Sequence, residues 1–138
     1  MIDPAYNAIM LSKELKIFLH HEIFNSESNI NILKVYISEA IENLTACNFT
    51  QSDYVFNLKV KKFKTDPTFY CATKFCSIYH RFFTDPYIKN IILTRAQSYQ
   101  NKNRIIQMYN WLEAGNRSFI SLMFNITVLP DKSVNIFI

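Results

Sequence analysis

The apolar residues of this chain change their period near Asp53, and that switch limits the possible folds more than any other feature. Before it, Ala8, Leu11, Leu15, Phe18 and Leu19 recur at helical spacing, with Lys13, Lys16 and Glu22 on the other face. Leu33, Ile37, Ala40, Ile41 and Leu44 do the same, with Glu39, Glu42 and Asn43 outward. The pattern predicts two amphipathic helices, one from Asp3 to about His21 with Pro4 in its first turn, and one starting near Asn29. From Asp53 the period is two: Tyr54, Phe56, Leu58 and Val60 alternate with polar or smaller residues, as on a half-buried strand.

Further along, "KTDPT" at residues 64–68 supplies a turn into "TFYCATKFCSIYHRFF", read as a second strand. Matching the apolar faces of this hairpin, residues 53–83, sets Leu58 against Phe75, Tyr54 against Tyr79 and Val60 against Thr73. Asp85-Pro86 opens a segment, 86–96, that fits a helix or a strand. Ile105, Met108, Tyr109 and Leu112 share one helical face, so a helix is expected near 101–114, closed by Gly115 as its C-terminal cap. Ile120, Leu122, Phe124, Ile126 and Val128 then alternate, and a turn at Pro130-Asp131 completes a C-terminal hairpin, residues 117–138. The expected fold is α+β: two N-terminal helices and an antiparallel sheet of about four strands, with one intervening helix and the helices on one face. No linker or repeat interrupts residues 1–138, which fits one domain. In element order the ααββ opening resembles the dynein light chains of the Tctex type, which implies peptide binding at a sheet edge. The helix near 101–114 departs from that order, and no residues carry over.

Hydrophobic residues make up 49% of the 138 and charged ones 19%, which indicates a folded chain; its apolar runs are too short to span a bilayer, so no membrane association is expected. The opening residues do not read as a secretory leader, and three cysteines, an odd number, suit a reducing compartment; both point to an intracellular protein, cytoplasmic or nuclear. Four N-x-[ST] matches, at Asn43, Asn48, Asn116 and Asn125, then read as by-products of composition. Abundant Asn, Ile, Lys, Phe and Tyr fit AT-rich codons and hence a viral, phage, parasite or AT-rich bacterial source.

The single glycine, Gly115, leaves no loop able to cradle phosphates as the P-loop or the dinucleotide fingerprint does. Cys71, Cys76 and His80 form C-x4-C-x3-H, with His20-His21 as a possible further ligand. On a strand Cys71 and Cys76 would diverge, so no structural zinc is expected. A Cys-His pair there lacks a nucleophile elbow, and Glu39 with Glu42 reads as a solvated helix face. The chain is therefore expected to be no enzyme and to carry no cofactor or metal.

Net charge is +4, and it is uneven: residues 1–50 hold three basic and six acidic side chains, residues 51–138 twelve and five. Four lysines, Lys59, Lys61, Lys62 and Lys64, fall within six residues. The expected hairpin puts Lys59, Lys61, Phe63, Tyr70 and Lys74 on one face, a basic and aromatic combination that could bind single-stranded nucleic acid. The simpler reading is a solvent-facing strand side whose lysines discourage edge pairing. Aromatic residues make up 15% of the chain, and Trp111 sits off the inward face of its helix, where it could anchor a protein partner. By elimination the sequence favours a small non-catalytic protein–protein interaction module (adaptor, inhibitor or assembly factor), able also to form a homodimer, with nucleic-acid binding as the alternative.

Overall fold

A computed structural model describes residues 4–45, 54–59 and 73–138. The elements are α1 (Pro4–Glu22), α2 (Glu27–Thr45), β1 (Val55–Lys59), α3 (Thr73–Thr84), α4 (Pro86–Ala96), α5 (Lys102–Glu113), α6 (Arg117–Met123), β2 (Asn125–Val128) and β3 (Ser133–Phe137). None of the described helices is long and apolar enough to cross a membrane.

The α+β class holds, but the sheet differs from the expected one. Its three described strands run in the order β1-β3-β2, with β3 central. β2 and β3 form the antiparallel hairpin around Pro130-Asp131, whereas β1 pairs with β3 in parallel, Leu58 opposite Ile136. The expected pairing of Leu58 with Phe75 is thus replaced. Residues 73–84 are helical because Phe75, Ile78, Tyr79, Phe82 and Phe83 recur at three- and four-residue steps and are all buried; their aromatic richness had suggested a strand. Among the described residues the opening order is ααβα, which does not follow the order of the Tctex chains.

Segment 86–96 resolves as a helix. Asp85 caps it by accepting hydrogen bonds from the Tyr87 and Ile88 amides at 2.9 and 3.3 Å, and Pro86 fills its first turn. The same device makes α6: Asn116 Oδ1 accepts from the Phe119 amide at 3.0 Å, so residues 117–123 are helical and the strand begins only at Asn125. α5 ends in a Schellman motif, in which the Gly115 amide bonds the Leu112 carbonyl and the Asn116 amide the Trp111 carbonyl. Gly115 has φ +75°, and a Cβ there would meet the His80 ring at 3.3 Å, so conformation and space both call for glycine.

Helices and sheet share one aromatic core. The Phe124 ring stacks on Tyr79 at 4.6 Å and meets Phe83 at 5.4 Å and Phe24 at 6.5 Å. Ile126, Val134 and Ile136 bury the inner face of the sheet from β2 and β3, and Leu15, Phe18, Leu19, Leu33, Ile37 and Ile41 add the expected stripes of α1 and α2. Lys16, expected outward, is 5% exposed instead. Ser12, Lys16 and His20 follow one another at four-residue steps along α1, so Lys16 lies within the buried arc of the helix.

Candidate functional site

Among the described residues, β1 is an edge strand with an open outer side. The Val55 amide donates to the Lys132 carbonyl at 3.1 Å, and the Ile138 amide donates to the Lys59 carbonyl at 2.8 Å. In a parallel ladder this parity turns the main-chain groups of Val55, Asn57 and Lys59 toward β3 and those of Phe56 and Leu58 away from it. Among the described residues nothing pairs with Phe56 and Leu58 on that outer side.

The side chains along this edge are more apolar than a solvated strand requires. Val55 is 61% exposed and Leu58 39% exposed. Leu58, expected in the core, faces the helical side near its margin, so only Phe56 of the expected Phe56–Leu58 pair is half-buried. A lysine lies on either face of the strand: Lys34 of α2 sets its ammonium 5.6 Å from the Phe56 ring centroid, and Lys59 sets its own 5.8 Å from that of Phe137. Beside Lys59 on the outer face, the Asn57 amide donates to Asn135 Oδ1 at 3.4 Å.

Two residues of the expected basic-aromatic face are described, and they fall on different elements. Lys59 is exposed on β1, as expected, while Lys74 falls in the first turn of α3 and not on a partner strand. Lys61, Phe63 and Tyr70 lie outside the described residues, as does Cys71. The hairpin that was to gather the five is not the pairing β1 makes.

Trp111 is half-buried at the core boundary, with its ring edge-on to Phe119 at 5.1 Å. Cys76 and His80 sit one turn apart on α3, and both are engaged. The Cys76 thiol lies 3.8 Å from Ser121 Oγ, and His80 Nε2 lies 2.8 Å from the Glu113 carbonyl. The described residues hold no cluster of three or more His, Cys, Asp or Glu placed to bind a metal ion. Cys76 lies on a helix, so the strand argument for its divergence from Cys71 does not apply to it.

Two ionisable networks brace the helices. Tyr36 donates to Asp85 Oδ2 at 2.8 Å, beneath an Arg81 guanidinium that also meets Glu39 at 3.0 Å. The Lys89 ammonium, 2.9 Å from Glu113, is the main cause that holds the Glu113 carboxyl below its ordinary range. Burial lowers the Lys16 pKa to about 8 and also holds His20 below the usual imidazole value, with Lys16 adding to the second effect. Ser12 is fully buried beside this pair, which denies its hydroxyl the exposure a nucleophile needs.

No protein-family model, no curated protein and no solved structure matches this chain.

Sequence alternation identified β1 and the solvent side of Lys59. It missed that β1 ends a sheet, because the partner strand lies more than seventy residues away and no local signal names it.

Proposed function

We propose that this chain is a non-catalytic protein-interaction module that takes an extended, acidic segment of a partner along the outer edge of β1. The observation that carries this reading is the outward main chain of Phe56 and Leu58, unpaired among the described residues and flanked by exposed Val55 and Leu58. Main-chain pairing would supply affinity, and alternate side-chain contacts would supply choice. Acidity in the partner follows from Lys34 and Lys59 on the two faces of the strand and from Lys61, Lys62 and Lys64 next in sequence. Trp111 is not needed as the anchor, since its ring already meets Phe119.

The test is selection of extended peptides from a displayed random library, with affinities measured by fluorescence anisotropy. Acidic peptides should be enriched and should lose binding to Leu58→Pro, whose missing amide lies on the open side and leaves the ladder to β3 intact. Binding that depends on Trp111 and ignores Leu58→Pro would move the site to α5. A single-stranded oligonucleotide that binds in the same assay with a steep salt dependence would favour the nucleic-acid alternative, for which the Lys59–Phe137 contact is the remaining support. Self-association lost in Leu58→Pro would identify a second copy of the chain as the occupant.

A further inference from the structure

Four cations of the described helices, Arg81, Lys89, Arg95 and Arg104, each meet a carboxylate at 2.7–3.7 Å, so their charge is answered within the fold. Lys34 and Lys59 are different. Among the described residues neither makes an ion pair, and each holds its ammonium over an aromatic ring, 5.6 Å from the Phe56 centroid and 5.8 Å from that of Phe137. A ring face steadies a cation without using up its N–H donors, so both ammoniums remain able to bind a carboxylate.

The strand keeps these two lysines apart. Side chains alternate along β1, so Phe56 and Leu58 lie on the helical face with Lys34, while Val55, Asn57 and Lys59 lie on the other, where Asn57 meets Asn135 and Lys59 meets Phe137. Each face thus carries one cation without a carboxylate and one exposed apolar side chain, Leu58 on the helical face and Val55 on the outer one. Phe56 with its lysine and Lys59 are three residues apart, about 10 Å at the rise of a strand, and Val55 and Leu58 are also three apart.

A strand added at an edge sets its side chains opposite those of its neighbour and on the same faces. From Val55 to Lys59 an occupant would meet an apolar side chain, a cation, an amide, an apolar side chain and a cation. The complement is apolar, acidic, polar, apolar, acidic, or the reverse of that order in an antiparallel occupant. Three is an odd step, which puts the two acids on opposite faces of an extended chain, whereas in a helix the same step puts them on one face. We infer, on the edge-strand reading of β1, that the site selects extended segments whose two acidic residues are spaced three apart, with Lys34 reading the acid opposite Phe56 and Lys59 the acid opposite itself.

The test is fluorescence anisotropy at low salt, using the full chain and three capped, labelled peptides with serine flanks and one composition. Two carry the pattern in its two directions, Val-Glu-Thr-Val-Glu and Glu-Val-Thr-Glu-Val; the third, Val-Glu-Thr-Glu-Val, has its acids two apart. One of the first two should bind about threefold or more tighter than the third. Changing either of its acids to glutamine should weaken binding by about threefold, and that effect should vanish for one acid in Lys34→Met and for the other in Lys59→Met, with circular dichroism confirming that both variants keep the fold. Binding that is lost in Leu58→Pro but is indifferent to the spacing, or to the two lysines, overturns the spacing rule and leaves the edge-strand reading standing. Binding that survives Leu58→Pro, or no binding by any of the three peptides, overturns both.

Discussion

The two edges of the sheet are built from strands of similar length on the same central partner, yet only one is secured. At the β2 edge, α6 runs directly into the strand through Phe124, the Tyr79 hydroxyl donates to the Asn125 carbonyl at 3.1 Å, and Ile126 is buried beneath. At the β1 edge, four of the five residues are exposed and one is half-buried, and the strand's close contacts are chiefly with β3. Being at an edge does not by itself make a strand available. What lies under it, and whether a side chain occupies its outer main chain, decides that.

The sharpest way to expose this contrast is paired truncation. Phe124→Ala should destabilise the protein by about 3–5 kcal/mol, because it empties the centre of the aromatic cluster under β2. Leu58→Ala, at the margin, should cost less than about 1 kcal/mol. Urea unfolding of the two variants checks the ratio, and equal losses would remove the contrast between the edges.

The secured half also carries a cost that the open edge lacks, the buried Lys16. Its folded pKa, about 8, lies below that of the free side chain, so the fold prefers the neutral form. The unfolded chain keeps the proton to about pH 10.4, and stability should rise between pH 8 and that value. Lys16→Met should raise stability at pH 7 by about 1–3 kcal/mol and flatten that rise. Denaturation curves at pH 7 and pH 10 make the comparison, and a variant that is less stable at pH 7 would show that the ammonium is well compensated in the fold.

Smaller effects should appear at single contacts of the hairpin. Tyr79→Phe deletes the hydroxyl bond to the β2 edge and should cost about 1 kcal/mol, with faster hydrogen exchange confined to β2. In the β2–β3 turn Lys132 holds φ at +65°, a conformation that suits glycine. Lys132→Gly should stabilise the hairpin by about 0.5 kcal/mol, a gain seen as a higher melting temperature in calorimetry.

Local periodicity carried much of the fold. The stripes of α1, α2 and α5, the cap at Gly115, the turn at Pro130-Asp131 and the inward set Phe124, Ile126 and Ile136 follow from spacing and turn chemistry. Misreadings arose where composition and period disagreed. The aromatic run over 73–84 looks strand-like by residue type, but its 75, 78, 79, 82, 83 spacing is helical. Residues 117–123 alternate well enough to pass for a strand, although the Asn116 cap starts a helix there. Lys16 looks like a surface lysine by type, while its position four residues from Ser12 and from His20 puts it in the buried arc. The parallel pairing of β1 with β3 was not legible, because strand partners are chosen through tertiary contacts that leave no mark on either segment alone. For the same reason the position of β1 at an edge of the described sheet could not be recognised from spacing.

Residue-resolved amide hydrogen exchange on β1 tests the central claim most directly. An open parallel edge predicts alternation, with the amides of Val55, Asn57 and Lys59 protected by bonds to β3 and those of Phe56 and Leu58 exchanging at nearly the rate of a free chain. Addition of a selected acidic peptide should then slow Phe56 and Leu58 without changing their neighbours. Uniform protection along all five residues in the free protein would show that the outer edge is already covered, and it would contradict the account.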